Sequence, residues 1–341
     1  MRQVLAGLLT GLGALLLSAA AAAFERAPEL RLLQALPVEG MAKGNLSGLT
    51  LCQGRWLAVS DREDDRLFEL LPGEQAWQAT PELFSVPAEH NSPLPLPLLA
   101  GAWLRGLRSG SMDFEAISCD AEGNRYLASE SLLAVLKLPP LASEGTPRWL
   151  DLDPALYAEG EARGLWQQAN ALVEGVAVSS DGQQLWLAAE RLSRGLLMLE
   201  RQDDGWRCPI GGCVLLAERR YLPTEPFGPG VLDRELMPLD FSALVYWKGR
   251  LWTLERNAHQ VCRRHPVSAQ RERCWSFATS LLAEPHLYPN ARFGLAEALH
   301  IDEDGIFLGI DNNGRARADG DSRPWLYRFA LPEDWQQGYR P

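Results

Sequence analysis

Hydrophobic and polar positions alternate in short bursts along this chain, and one burst recurs five times. An apolar strand leads into a tight turn, and a second strand then ends in an acidic residue. The phrase reads NLSGLTLCQGRWLAVSDR from Asn45, DFEAISCDAEGNRYLASE from Asp113, VEGVAVSSDGQQLWLAAER from Val173, DFSALVYWKGRLWTLER from Asp240 and LAEALHIDEDGIFLGIDNN from Leu295. Aligned on their opening positions, Ser47, Glu115, Glu174, Ser242 and Glu297 lie roughly 55 to 70 residues apart, the period of a four-stranded supersecondary unit.

The turns carry hairpin chemistry, with Gln53-Gly54, Glu122-Gly123-Asn124, Asp181-Gly182, Lys248-Gly249 and Asp304-Gly305 each set between β-rich runs. A third strand follows each hairpin, as RLFELL, LLAVLKL, GLLMLER, HQVCRR and PWLYRFAL. A fourth is readable as ELFSVP, RWLDLD, CVLLAERRYL and CWSFAT. The last repeat lacks its fourth strand, while the chain opens on an unassigned one, ELRLLQAL from Glu29. The pattern predicts an all-β propeller of four-stranded antiparallel blades, closed into a ring by the N-terminal strand. Five blades are expected, or six if a long connection hides a degenerate one. An aromatic recurs in every second strand, at Trp56, Tyr126, Trp186, Trp252 and Phe307, and is expected to pack between blades. The long connections, punctuated by Pro and Gly, are expected to be ordered loops rather than strands.

Residues 1–23 place one Arg before an apolar run and a small-residue tract, the pattern of a secretory signal peptide. The propeller domain is then residues 24–341, with no later run long enough to span a membrane. Export to a periplasm or beyond is the expectation. Six cysteines suit an oxidising compartment. Cys208 and Cys213 bracket a short turn, and Cys262 and Cys274 flank a hairpin, so both pairs are expected to be disulfides. Cys52 and Cys119, late in neighbouring first strands and on opposite strand faces, allow a third. A net charge of −11 argues against nucleic acid as a partner. A small anionic substrate is compatible with it only beside a local basic patch or a bridging cation, and the protein is expected to act as a monomer.

In an antiparallel pair the start of one strand lies beside the end of the next. Glu115, Glu174 and Glu297 should therefore meet Asp61, Glu130, Glu190, Glu255 and Asp311 at one mouth of the channel. The long connections and the loops DREDDR, ERLSRG, ERNAHQ and DNNGRARADGDSRP emerge on the same side. Carboxylates crowded there must be protonated, paired or bound to metal. Oxygen donors without clustered His or Cys favour a hard cation, Ca²⁺. The assignment that follows takes Glu115, Glu174, Glu297, Glu190 and Glu255 as catalytic candidates and Asp61, Glu130 and Asp311 as metal ligands. Arg62, Arg191, Arg256 and Asn312, which follow closing acids, are the candidates for binding substrate. Asp113 and Asp240 could join the ring or cap turns. The competing reading makes such acids structural, accepting backbone N–H bonds. Ser47 and Ser242 lie in no GxSxG elbow, and the DEDG turn is too short for an EF-hand loop.

These five phrases resemble the phytase-like family of exported bacterial propellers, described as having the esterase-like activity of phytase. The resemblance covers nearly all of the chain after its leader. It implies that the repeated acids form the site and that phosphoester hydrolysis is the chemistry. EAIS and EALH stand where the family often has EGLA, which implies a narrower approach to the axis. Two alternatives share the ring: a metal-dependent lactonase or esterase, and a non-catalytic binding module of the cell envelope.

Overall fold

In this computed structural model the described residues are 27–338, apart from 42–44, 89–91, 107–111, 142, 169–170, 204 and 224–235. The expected leader at 1–23 lies outside them. Each hairpin phrase forms the inner half of a blade. The first blade is built from Gly48–Cys52, Arg55–Val59, Arg66–Leu71 and Trp77–Leu83 in sequential antiparallel order. Its fourth strand falls earlier than ELFSVP, because the turn after Leu71 is short and the chain pairs at once. The second blade uses Phe114–Cys119, Arg125–Ser129, Ala134–Leu138 and the brief Arg148–Trp149.

In the third blade, Val173–Val178, Gln184–Ala189 and the long Arg194–Gln202 are followed by a divided fourth position. Gly205–Arg207 pairs with one end of the long strand, and Val214–Glu218 with the other. The Cys208–Cys213 disulfide closes the turn between them. A two-stranded hairpin of Tyr221–Pro223 and Leu236–Pro238 then leads to the fourth blade. That blade comprises Ala243–Trp247, Arg250–Glu255, Gln260–Arg264 and Arg271–Ser276. The fifth has Ala296–Asp302, Gly305–Ile310 and Trp325–Phe329, completed by the N-terminal strand Leu32–Glu39.

Ring closure follows the expectation and goes one step further. Leu32–Glu39 runs antiparallel to Trp325–Phe329, while Val38 and Glu39 also pair in parallel with Trp77 and Gln78 of the first blade. Just before it, Glu29 bridges to Ser276 on the fourth blade. The N-terminal stretch thus stitches three blades. The five first strands touch one another in a closed circle, so the ring has five blades. Gly48 and Gly175 permit this approach, since a Cβ at either would meet the neighbouring blade's strand at about 3 Å or less. Ala116 and Ala298, the alanines of EAIS and EALH, are buried in strand packing and do not line the pocket described below.

The recurring aromatics fill the wedges between blades. Trp56 meets Phe307 with ring centres 4.5 Å apart, Trp186 stacks on Tyr246 at 4.7 Å, and Tyr126 meets Trp206 edge-on at 6.4 Å. Such burial of large rings is the main force joining neighbouring sheets. All six cysteines are paired, as Cys52–Cys119, Cys208–Cys213 and Cys262–Cys274. The first of these ties blade one to blade two, and the set fits an oxidising compartment. The connections are partly helical, over Leu96–Gly106 and Ala155–Ala162, which loop punctuation alone did not reveal. Among the described residues no helix is long and apolar enough to cross a membrane.

Candidate functional site

The opening acids owe their orientation to a local irregularity. In blades two, three and five the ladder between first and second strands slips by one residue, at Phe114/Ala116, Val173/Gly175 and Ala296/Ala298. The extra residue is Glu115, Glu174 or Glu297. A β-bulge leaves its additional residue outside the regular alternation and re-aims its side chain. Blades one and four have regular ladders from Gly48 and Ala243 onward, and there the position is serine. Ser47 Oγ accepts the Asp61 backbone N–H at 3.1 Å, and Ser242 Oγ donates to the Ala296 carbonyl at 2.9 Å.

The three bulged glutamates meet at a cavity of about 260 Å³, lined also by Asp61, Asp113, Glu130 and Asp311 and rimmed by Arg62, Arg191, Arg256, Phe293, Asn313 and Arg315. Its electrostatics divide it into two sides. On one, Arg256 is a buried counter-ion, with Nε donating to Asp240 Oδ2 at 2.8 Å and its two Nη atoms bonded to Glu297 and Glu190. Glu174 stands 4.0 Å from Arg256 Nη1. Although burial opposes its charge, these acids hold the Arg256 guanidinium more firmly protonated than usual.

On the other side the acids face one another. Among the described residues Glu115 has neither a hydrogen bond nor an ion pair. Burial, and then the charges of Glu174, Asp61, Asp113 and Glu297, push its carboxyl well above the usual range. Burial and the charges of Glu174 and Asp113 do the same to Glu130, although Glu130 Oε1 accepts the Leu172 N–H at 2.9 Å. Asp61 is raised by burial, against the opposing pull of Arg62 at 3.1 Å and a hydrogen bond from Asn45 at 2.6 Å. Asp311 is raised to about 7 by burial and the Asp61 charge, while a hydrogen bond with Glu297 works the other way. Glu297 is itself raised by burial and by Asp311.

Two sets of oxygens come close enough to share an ion: Asp61, Asp113 and Glu115, and again Glu115, Glu130 and Glu174, each with ligand atoms within 4.8 Å of one another. Two oxygens bound to one Ca²⁺ at the usual 2.3–2.6 Å, roughly, can lie no farther apart than about that. The donor set is therefore of the right hardness and spacing for such a cation, with Glu115 common to both sets.

Several residues expected at the mouth are placed elsewhere. Glu255 does not line the cavity; it is clamped by Arg194 Nη1 at 2.7 Å and Arg264 Nη2 at 2.8 Å. Burial would raise its carboxyl, but these two cations hold it at about 2. Glu190 is buried behind Arg191 and Arg256. Asn312 turns into its own loop, with Nδ2 donating to the Ser322 and Arg323 carbonyls at 2.8 and 2.7 Å, while its neighbour Asn313 reaches the cavity. Asp311 lines the cavity but belongs to neither close set. Asp113, left open between ring and turn, joins the ring, whereas Asp240 is buried against Arg256 and the Asn257 N–H.

Phe293 and Arg315 also line the cavity, and neither stands at a repeat position. Both lie in connections whose side of the disc the strand order predicts. Nothing in their spacing tells which side chain of such a loop turns inward.

A family model described as Phytase-like, esterase-like activity of phytase, matches residues 42–201. That span holds the first two blades and the third as far as its long third strand, and it supports the resemblance carried by the repeated phrases. No curated protein matches the sequence. Solved structures with similar courses include a gluconolactonase of Xanthomonas campestris (12% identity, 89% of this chain and 88% of that one, TM-score 0.40). Others are a virginiamycin B lyase of Staphylococcus aureus (10%, 89% and 100%, TM-score 0.38) and a PQQ-bound aldose sugar dehydrogenase of Streptomyces coelicolor (13%, 89% and 100%, TM-score 0.41). Likeness at this level carries nothing about chemistry.

Proposed function

We propose that this protein is an exported phosphoester hydrolase acting on a small polyanionic substrate, of the kind an inositol phosphate represents, with Ca²⁺ held at the mouth of its channel. The observation that carries the reading is Glu115, a carboxylate at the axis without a cation partner, shared between two close sets of oxygen donors beside an arginine rim. Asp61, Asp113, Glu115, Glu130 and Glu174 would hold the cation. Bound there, it supplies Lewis-acid polarisation of a phosphoryl oxygen and acidifies a water.

The remaining work falls to the chain's own groups. Arg62, anchored on Asp61 and Asn313, and Arg191, anchored on Glu190, are placed to offset charge on the phosphate oxygens. Glu297 and Asp311, hydrogen-bonded to each other at the cavity wall, hold a proton where a leaving oxygen could take it. Arg256 keeps the opposite side of the ring electrically balanced, so the cation is directed toward Glu115. The leader at 1–23 and the three disulfides support export to a periplasm or beyond.

The test is to strip the exported protein with chelator and assay phosphoesters, lactones and simple carboxylesters with and without Ca²⁺. Calcium-dependent release of phosphate that Glu115→Gln abolishes is the expected result. Turnover of lactones or esters alone would move the chemistry to carbonyl hydrolysis at the same ring. Binding of calcium with no turnover of any substrate would make the propeller a binding module.

A further inference from the structure

The four guanidinium groups of the cavity differ in how far their charge is committed. Arg62 lies 3.1 Å from Asp61, Arg191 is bonded to Glu190, and Arg256 is buried among three bonded carboxylates. Arg315 stands apart. Among the described residues it has no carboxylate within ion-pair distance, and its polar contact is the Asn312 carbonyl, 3.4 Å from Nη1. Its guanidinium carbon lies 5.8 Å from the centre of the Phe293 ring, which Arg256 also approaches, at 5.9 Å. Phe293 and the Asn312 carbonyl thus hold a planar, half-exposed cation at the cavity wall without neutralising it.

We propose that Arg315 is the cavity's anion-recognition residue, gripping an oxyanion of the substrate other than the one that reacts. The inference rests on reading the mouth as the substrate pocket. Charge accounting supports it, because the lining carries seven carboxylates and three guanidiniums already paired with acids. A polyanion entering there gains more from a cation that no acid has matched than from one already paired. A guanidinium free of any carboxylate and already oriented by a ring and a backbone carbonyl is what a second phosphate would meet most favourably.

The experiment compares the calcium-loaded protein with Arg315→Met and Arg315→Lys. Equilibrium binding of inositol hexasulfate, which the proposed reaction cannot cleave, is titrated beside inorganic phosphate. The expected result is a loss of hexasulfate affinity of about ten- to a hundredfold in Arg315→Met, a smaller loss for phosphate, and partial recovery in Arg315→Lys. In hydrolysis, KM for a polyphosphorylated ester should rise by a similar factor with kcat changing little, and KM for a monophosphate ester by less. Hexasulfate binding equally tight in Arg315→Met, or absent from the wild-type protein, would overturn the inference. If binding depends on Arg315 but no phosphoester is hydrolysed, the proposed reaction fails and the recognition role stands. If hydrolysis proceeds with an unchanged KM in Arg315→Met, the reverse holds.

Discussion

Glu115 and Ser47 hold the same repeat position in adjacent blades, but Glu115 is the extra residue of a β-bulge inside its ladder whereas Ser47 lies just before the first paired residue of its own, Gly48. The same division separates Glu174 and Glu297 from Ser242. In the three ladders that carry a glutamate at this position the bulge re-aims its side chain, and all three carboxylates line the cavity. Removing the Glu115 charge should relieve repulsion in the calcium-free protein and cost it the cation. Glu115→Gln is expected to melt higher than wild type in chelator, at about 1.5 °C per kcal/mol for a domain of this size, and to lose most of the calcium-induced rise. Thermal unfolding of both proteins with and without calcium decides it, and an undiminished calcium response in the variant would remove Glu115 from the cation site.

Arg256 presents the opposite case, a buried cation surrounded by acids. Replacing it with methionine leaves Glu190, Asp240 and Glu297 buried without it, and breaking such a network by removing one partner costs about 3–5 kcal/mol. Adding Glu190→Gln and Glu297→Gln to Arg256→Met should recover part of that loss, because fewer like charges remain. Urea unfolding of the single and triple variants measures both effects; a triple variant no more stable than the single would show that shape, not charge, is what Arg256 supplies.

The extent to which all this is legible in the sequence follows from what each feature depends on. Blade order, ring closure and the face of the disc depend on the strand period and on turn residues, both written locally in each phrase. The gathering of Glu115, Glu174 and Glu297 follows from the same register. Where two closing acids differ, the difference lies in neighbours outside their own phrase. Glu130 faces the cavity, but Glu255 is enclosed by Arg194 from the third blade and Arg264 from the fourth, and no spacing within its own phrase announces them. Asn312 and Asn313 are separated in role by a single turn of loop backbone, with Asn313 at φ 49°. Long-range charge pairing and loop conformation were the two things a one-dimensional reading could not weigh.

The disulfides offer a contrast within one molecule. Cys52–Cys119 closes 67 residues of chain and joins two blades at the end of their first strands away from the acids, whereas Cys208–Cys213 closes five within one blade. If the constraint acts mainly on the unfolded chain, the first is worth about 4 kcal/mol and the second about 2 kcal/mol. Replacing each pair with serines and comparing denaturant midpoints should show the larger drop for Cys52→Ser/Cys119→Ser, with hydrolysis per folded molecule nearly intact in both. Equal drops would indicate that native contacts around the bridges, rather than loop entropy, dominate.

Acid stability should report His259, which is buried against Phe277 away from the carboxylate sets. Burial lowers its pKa to about 4, from 6.5 in an exposed imidazole. Between those values the unfolded chain binds a proton that the native state does not, so stability rises with pH. The contribution is fully present above pH 6.5 and is lost as pH falls toward 4, up to about 3 kcal/mol in all. Glu255, held at about 2 against 4.5 when exposed, adds a further loss only below pH 4.5. The raised carboxyls of the ring act in the opposite sense, since acid relieves their repulsion, so the slope of the whole protein mixes both. Comparing variants isolates the histidine. His259→Asn does not titrate and tolerates the left-handed backbone at this position, where φ is 51°. The difference in urea midpoint between wild type and His259→Asn is expected to shrink steadily as pH is lowered from 7 to 4.5; a difference that stays constant would mean that His259 is protonated in the folded protein, or that its burial carries no electrostatic cost.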